Sequence, residues 1–402
     1  MNDGVRRSRR ATEISRGTNL IGVRQYNERL ILSLIRQHGR LSKAEIARQT
    51  GLSAQTVTII MRQLQADRLV LTHDPIKGRV GQPSVPFALD PEGAFGVGLK
   101  IGRRSADAVL LDFAGRIRGQ RRQTHAFPEP AEVMAFFRTA VGELVNELAS
   151  ESCQRIAGIG VAAPFELWGW EAEIGAPSGS LKGWRYIDIV HDLGLSTALP
   201  VQLCNDATGA CAAELVLGSH TQLSDFLYVF IGSFVGGGVV LDGRLFAGRT
   251  GNAGALGSMP MGPEGEQLIK HASIAGLDRA MVAAGLDATV LWRQSDDWGQ
   301  IGPVLDRWID EVSKSLATTV VAAISVIDFE AVIIDGAFPS SVRDRLVSAV
   351  SERLETMDRS GLSPVKIEAG SIGSNARAIG GACLPLLTRF ARDQDVLLKA
   401  VS

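Results

Sequence analysis

The stretch "FLYVFIGSFVGGGVVLDGRLF" (226–246) decides how the body of this chain is read. Apolar, β-branched and aromatic residues flank a glycine turn, and a D-x-G-R-type turn follows. The run therefore reads as strand, turn, strand, turn, strand. The same order occurs earlier. "AFGVGLKIG" (94–102) and "SADAVLLDFAGRIRGQRRQT" (105–124) read as a three-strand meander that turns at "DFAGR". "LLDFAGRI" (110–117) and "VLDGRLF" (240–246) look like two copies of one hairpin. A helix is expected near 130–150 and an apolar strand at "RIAGIGVAAP" (155–164). A duplicated meander followed by helices predicts an α/β body of two similar lobes with a cleft between them. The two glycine turns would face each other across nucleotide phosphates.

Beyond the second meander lies "GNAGALGSMPM" (251–261). Glycine-rich loops let backbone N–H groups approach a ligand closely. This one contains no acid, base, thiol or imidazole. It has the form of a binding loop without reactive groups.

At 402 residues the chain is long enough for two or three domains. A hydrophobic content of 45% with 21% charged residues reads as soluble and globular. The most apolar run, "LATTVVAAISVI" (316–327), is too short to span a membrane and carries Thr and Ser. The N-terminal arginines precede no apolar segment, so no secretory signal is expected. Cys153, Cys204, Cys211 and Cys383 are scattered, which argues against a zinc knuckle or a disulfide framework and for a reducing cytoplasm. Charge is uneven. Residues 1–90 hold 15 Lys and Arg against 7 Asp and Glu, a net of +8; the remainder holds 27 against 36, a net of −9. A basic front on an acidic body points to a polyanion partner for the front alone.

Residues 1–20, with "RRSRR", read as a basic flexible arm or as a solvated tail. In "VRQYNERLILSLIRQHG" (23–39), Leu30, Ile31, Leu34 and Ile35 recur at helical spacing and Gly39 is the stop. Ser42 and Glu45 form a capping box for "SKAEIARQTG" (42–51). After the turn "GLS", Ser53 caps "AQTVTIIMRQLQADRL" (54–69), where Val57, Ile60, Met61 and Leu64 make one apolar stripe. Helix, short helix, turn, helix is the helix-turn-helix order. Residues 69–89 read as two short strands around a Gly/Pro-rich wing tipped by Lys77 and Arg79. Lys43, Ser53, Gln55, Thr56, Thr58 and Arg62, with Lys77 and Arg79, are the candidate DNA contacts, the helix entering a major groove. A protein-interaction module with a polar solvated face is the other reading of the same pattern.

Residues 17–58, together with "VAAPFELWGWEAEIGAPSG" (161–179), "NDATGACAAELVLG" (205–218), "GGGVVLDGRLFAGRTGNAGALGSM" (236–259) and "GSIGSNARAIGGACLPL" (370–386), resemble the ROK family of repressors, open reading frames and kinases. The likeness is to its transcriptional regulators of the xylose- and N-acetylglucosamine-repressor type. It implies a winged helix-turn-helix followed by a two-lobed, actin-like, ribonuclease H-like sugar-kinase body. The expected divisions are an arm (1–20), a DNA-binding domain (21–90), a first lobe (91–204) and a second lobe (205–402) whose C-terminal helix returns to the first.

The resemblance also implies what the site has lost. Where the family's kinases read G-E-I-G-H-M, this chain has Gly254, Ala255, Leu256, Gly257, Ser258 and Met259. The sugar-holding glutamate is thus Ala255, the sugar- and zinc-touching histidine is Ser258, and the second sugar glutamate falls near Ile269. Zinc-binding members carry cysteines where this chain has "MGPEGEQLIKHAS" (261–273), so no metal is expected. In the first phosphate loop the acidic, metal-linked position is Lys100 and the second glycine is Arg103; in the second loop, Phe234 stands where backbone should meet phosphate. Asn205 and Asp206 match the family's N-D pair, in which the aspartate is the base for the sugar hydroxyl. Asp206 is then a relic base, a ligand contact or a helix cap. The expected ligand set is Asn205, Asp206, Ser178, Trp184, Gly254 and Ser258, with Trp168, Trp170 and Trp184 as stacking or core residues. These readings lead to a non-enzymatic, cofactor-free cytoplasmic regulator. Its expected partners are an operator of double-stranded DNA in palindromic half-sites, a small-molecule effector, and further copies of itself in a homodimer or homotetramer. An active sugar kinase with a DNA-binding appendage is the alternative.

Overall fold

The computed structural model describes residues 20–75, 85–293 and 297–392; the basic arm and the wing tip with Lys77 and Arg79 lie outside the described residues. The chain divides into two compact units, one of residues 1–90 with 389–402 and one of 91–388.

The first unit opens with α1 (Leu20–His38), which buries Ile31, Leu32 and Ile35, and a two-residue strand β1 (Leu41–Ser42). The capping box forms at the start of α2 (Lys43–Thr50). Ser42 Oγ accepts from the Glu45 N–H (3.3 Å) and the Glu45 carboxylate accepts from the Ser42 N–H (2.8 Å). Gly51 ends this helix at φ 69°, a left-handed conformation that glycine adopts without strain. Ser53 caps α3 (Ala54–Ala66), whose stripe of Val57, Ile60, Met61 and Leu64 is buried. Strands β2 (Val70–Thr72) and β3 (Pro86–Leu89) then pair antiparallel, and β3 also takes β1. Pairing with β1 is the one feature the sequence did not announce, since two residues carry no alternation.

In the second unit the first sheet comprises β4 (Phe95–Ile101), β5 (Ser105–Asp112), β6 (Ile117–Thr124), β7 (Ile156–Ala163) and β8 (Val201–Asn205). Helices α4 (Pro130–Asn146) and α5 (Ile189–Thr197) punctuate this run. The strand order is β6-β5-β4-β7-β8, the meander antiparallel and the last two pairings parallel. Helix α6 (Asp206–Leu217) leads to the second sheet: β9 (Phe226–Ile231), β10 (Val235–Leu241) and β11 (Arg244–Phe246). A small hairpin, β12 (Pro260–Met261) and β13 (Glu266–Gln267), precedes α7 (Ile274–Ala283) and α8 (Pro303–Ile324). Then come β14 (Ala331–Gly336), α9 (Ser340–Thr356), β15 (Lys366–Ala369) and α10 (Ala376–Phe390). The order is β11-β10-β9-β14-β15, with the same pattern of antiparallel and parallel neighbours. The two hairpins that look alike in sequence thus occupy equivalent places in two sheets of one topology. At the second, Asp242 (φ 52°) and Gly243 (φ 66°) both take positive φ, as a tight two-residue hairpin turn requires.

Each lobe has its own core. Phe95, Phe137 and Leu144 anchor the first; Trp298, Trp308 and Leu346 anchor the second. Two helices rich in small residues join them. α10 packs on the first sheet, where a Cβ on Gly98 would fall 2.0 Å from the Ala378 carbonyl oxygen. α6 packs on the second sheet, where a Cβ on Gly238 would fall 2.4 Å from Cys211 Cβ. The two helices meet at Gly209 and Gly380, and a Cβ on Gly380 would lie 1.6 Å from the Gly209 carbonyl oxygen. Gly380→Ala must push the helices apart and should cost about 3 kcal/mol. Gly142→Ala, inside α4 with nothing within 4 Å of the added Cβ, should instead stabilise by about 0.5–1 kcal/mol. All six tryptophans lie between residues 168 and 308, so urea unfolding followed by tryptophan fluorescence reads this unit and checks both values.

Candidate functional site

Two surfaces carry chemistry. On the first unit it is the outer face of α3. Helical spacing sets Gln55, Ile59 and Arg62 opposite the buried stripe, and all three are exposed. Ile59, 58% exposed, stands in the middle of this polar face. The candidate hydroxyls are locally engaged. Ser53 Oγ lies 2.8 Å from Thr56 Oγ1, and Thr58 Oγ1 donates to the Ala54 carbonyl at 2.8 Å. Lys43 Nζ sits 5.5 Å from the centre of the Phe87 ring. Of the candidate contacts, Gln55 and Arg62 are therefore presented outward, and the exposed Ile59 between them is a residue that sequence reading did not single out. Its i+4 spacing from Gln55 was the available signal.

The second surface is a cleft of about 660 Å³ between the two sheets of the second unit. The turn Gly102–Arg103 and Trp170 line it from the first lobe, and Ser233–Gly237 and the loop 250–258 from the second. Asn205 and Asp206 at the start of α6, and Arg377 at the start of α10, complete the lining. Asn205 is the cap of α6, its Oδ1 accepting from the Ala207 N–H at 3.0 Å; Asp206 is the first helical residue. Asp206 Oδ1 also accepts from the Ala207 N–H at 2.9 Å, and its Oδ2 accepts from Arg377 Nη1 at 3.2 Å. Arg377 also lies over the Phe230 ring, 5.1 Å from its centre. Across the cleft mouth, Trp170 of the first lobe meets Phe234 of the second edge to face at 5.0 Å.

Residues 96–270 match the ROK family, and residues 24–70 match a winged helix-turn-helix DNA-binding family. The chain carries a ROK family domain. Among curated proteins it is 27% identical over 253 residues to the DNA-binding transcriptional dual regulator NagC of Escherichia coli (strain K12), covering 61% of this chain and 60% of that one. The match therefore spans about three-fifths of that regulator. Among solved structures, a ROK family transcriptional regulator, a homologue of the E. coli MLC protein, aligns at a TM-score of 0.64 and 20% identity, over 92% of this chain and 97% of that one. A ROK family glucokinase from Streptomyces griseus, in complex with glucose and AMPPNP, aligns at 0.57 and 20%, over 72% and 99%. The fold is that of a winged helix-turn-helix followed by the two-lobed, actin-like ROK sugar-kinase body.

Within the ROK domain the expected ligand residues separate. Asn205, Asp206, Gly254 and Ser258 line the cleft, as do Ala255 and Ile269 at the positions where the resemblance put carboxylates. Ser178 is exposed and outside the lining. Trp184 is buried in the first lobe's core, where its indole N–H donates to the Pro128 carbonyl at 2.9 Å. Of the three tryptophans, Trp170 faces the cleft and Trp168 takes Arg185 over its ring at 5.7 Å. Sequence reading also missed Arg377, because its partner Asp206 is 171 positions away. Among the described residues, no group of three or more His, Cys, Asp or Glu is placed to hold a metal ion, and no helix is long and apolar enough to cross a membrane.

Lys100 turns away from the cleft. Its Nζ is 2.9 Å from Asp107 and 3.0 Å from Ser105 Oγ, and Arg122 also binds Asp107. Burial pushes the Lys100 ammonium down to about 8; Arg377 adds to the push and Asp107 opposes it. Burial alone would raise the Asp107 carboxyl, but Lys100 and Arg122 outweigh it and hold it at about 2. A carboxyl held low contributes stability that is complete above its ordinary value near 4 and is lost as pH falls toward 2. Asp107→Asn should therefore lose most of its destabilising effect on acidification. Its deficit against the wild type should be smaller by about 2 kcal/mol at about pH 2 than at about pH 5, in urea unfolding at the two pH values.

Proposed function

We propose that the protein is a DNA-binding transcription regulator, a repressor of carbohydrate-metabolism genes acting in the cytoplasm. Its ROK domain binds a small effector in the cleft and transfers no phosphate. The observation that carries this reading is the presence of an outward Gln55–Ile59–Arg62 face on a winged helix together with a kinase-like cleft in which the aspartate of the N-D pair, Asp206, is held by Arg377. A base must be free to take a proton, and phosphoryl transfer needs placement and charge neutralisation at the phosphates. Here an arginine holds the base, the lysine at the metal-linked position is paired inward, and an aromatic side chain fills the second loop. The similarity to NagC favours the same side of the family.

The protein acts as a homodimer or homotetramer, because one short helix reads too few base pairs for specificity and paired heads read a palindrome. Closure of the lobes on the effector changes the spacing of the heads, and so the affinity. Gln55 and Arg62 read base edges, and Ile59 packs on a thymine methyl group.

Selection from a random duplex library, followed by fluorescence anisotropy on the selected site, tests this. Gln55→Ala or Arg62→Ala should weaken binding by about tenfold. Replacing the contacted thymine by uracil should weaken the wild type by about fivefold and leave Ile59→Ala unchanged. The kinase reading keeps one observation in its favour, Asp206 at the cleft floor beside two glycine turns. Hexose-dependent ATP turnover that Asp206→Asn abolishes would reverse the assignment.

A further inference from the structure

Two turns carry a bulky side chain where the resemblance puts phosphate-binding backbone. In the first turn it is Arg103, and in the second it is Phe234. Each reaches across the cleft to the opposite lobe. Phe234 packs on the hydrophobic core of the first lobe and meets Trp170 edge to face at 5.0 Å. Arg103 pairs with Asp278 of α7, on the second lobe, at 3.7 Å. Their side chains are 10% and 17% exposed, so salt screens this pair less than a surface pair.

Both contacts stand on fastened parts of the chain. The N–H groups of Ile274 and Ala275, at the start of α7, donate to the carbonyls of Gly232 and Ser233 at 3.0 and 3.2 Å. Ser273 Oγ accepts from the Val235 N–H at 3.2 Å. Phe234 and Asp278 therefore belong to one hydrogen-bonded piece of the second lobe. On the first lobe, Glu171 follows Trp170 and pins its loop, accepting from the N–H groups of Gly179 at 2.8 Å and Leu181 at 2.9 Å. The crossing of α6 and α10 joins the lobes at the cleft floor, and these two contacts join them again at the turns.

We propose that Trp170–Phe234 and Arg103–Asp278 form a latch that holds the lobes together without a ligand. Side chains of the protein itself bridge the two turns, in the place of a bridging phosphate. The latch shifts the equilibrium between open and closed lobes toward the closed form before any effector arrives. It rests on these contacts alone; only its effect on DNA rests on the regulator reading.

Hydrogen–deuterium exchange of the full, ligand-free chain tests it, read in peptides 205–210 and 253–258 of the cleft lining. Trp170→Ala and Phe234→Ala should each speed exchange there about fivefold. The double variant should be no faster than the faster single one, because either change breaks the same contact. Arg103→Glu and Asp278→Lys should each speed exchange about threefold. Together they should return it toward the wild type, since the pair is restored with its charges reversed. Exchange in β9, the central strand of the second sheet, should stay unchanged. If an alanine variant speeds β9 as well, Phe234→Leu carries the test, because it keeps the apolar packing and loses the aromatic pair. Cleft exchange that no variant alters, or effects that multiply in the double variants, would overturn the latch. Fluorescence anisotropy on the selected DNA site then reads the consequence. Phe234→Ala and Asp278→Lys should shift affinity in the same direction by about threefold or more. Faster exchange with unaltered DNA binding leaves the latch standing and removes the coupling of lobes to heads. Unaltered exchange in a chain that still binds its site removes the latch and leaves the regulator reading standing.

Discussion

The ROK domain depends on a backbone-to-backbone approach at Gly209 and Gly380. No side chain fits between α6 and α10 there. Each helix is also pressed onto a different sheet, with Gly98 and Gly160 beneath α10 and Gly236 and Gly238 beneath α6. Packing of this kind is short-ranged and unforgiving, since dispersion contacts are lost within an ångström and overlap is penalised steeply. The crossing therefore fixes how the two lobes stand and where the cleft floor lies. Asp206 and Arg377 each precede their crossing glycine by three residues, about one helical turn. The same contact that joins the lobes thus brings this carboxylate and this guanidinium together at 3.2 Å.

That pairing explains a cleft that keeps the form of a kinase site and not its electrostatics. A phosphate-handling site gathers cations around a free base. Here Asp206 is paired with Arg377, Lys100 is committed to Asp107, and Phe234 meets Trp170. The rest of the lining is two guanidinium groups, the Glu166 carboxylate, the amides of Asn205, Asn252 and Gln267, small hydroxyls and backbone.

The winged helix rests on local rules. A capping box, a left-handed glycine, a serine cap and one apolar stripe of four residues set two helices at a fixed angle, and each device acts within a few residues of chain. The outer face of α3 is then set by helical periodicity alone, which is why Gln55 and Arg62 could be named from sequence. Ile59 was overlooked because an isoleucine in a helix is ordinarily assigned to a core. Here the core face is already complete without it.

The elements, the duplicated meander and the winged helix were legible in the residues alone, because periodicity, turn chemistry and residue type act over short spans of chain; that Ala255 and Ile269 stand where carboxylates would hold a sugar was an implication of the family resemblance. Packing of distant segments is what makes Trp184 core while Trp170 faces the cleft, turns Lys100 inward and sets Arg377 on Asp206. Each of those depends on which distant segment supplies a partner across a packed interface, and no local pattern encodes a contact made 171 residues away.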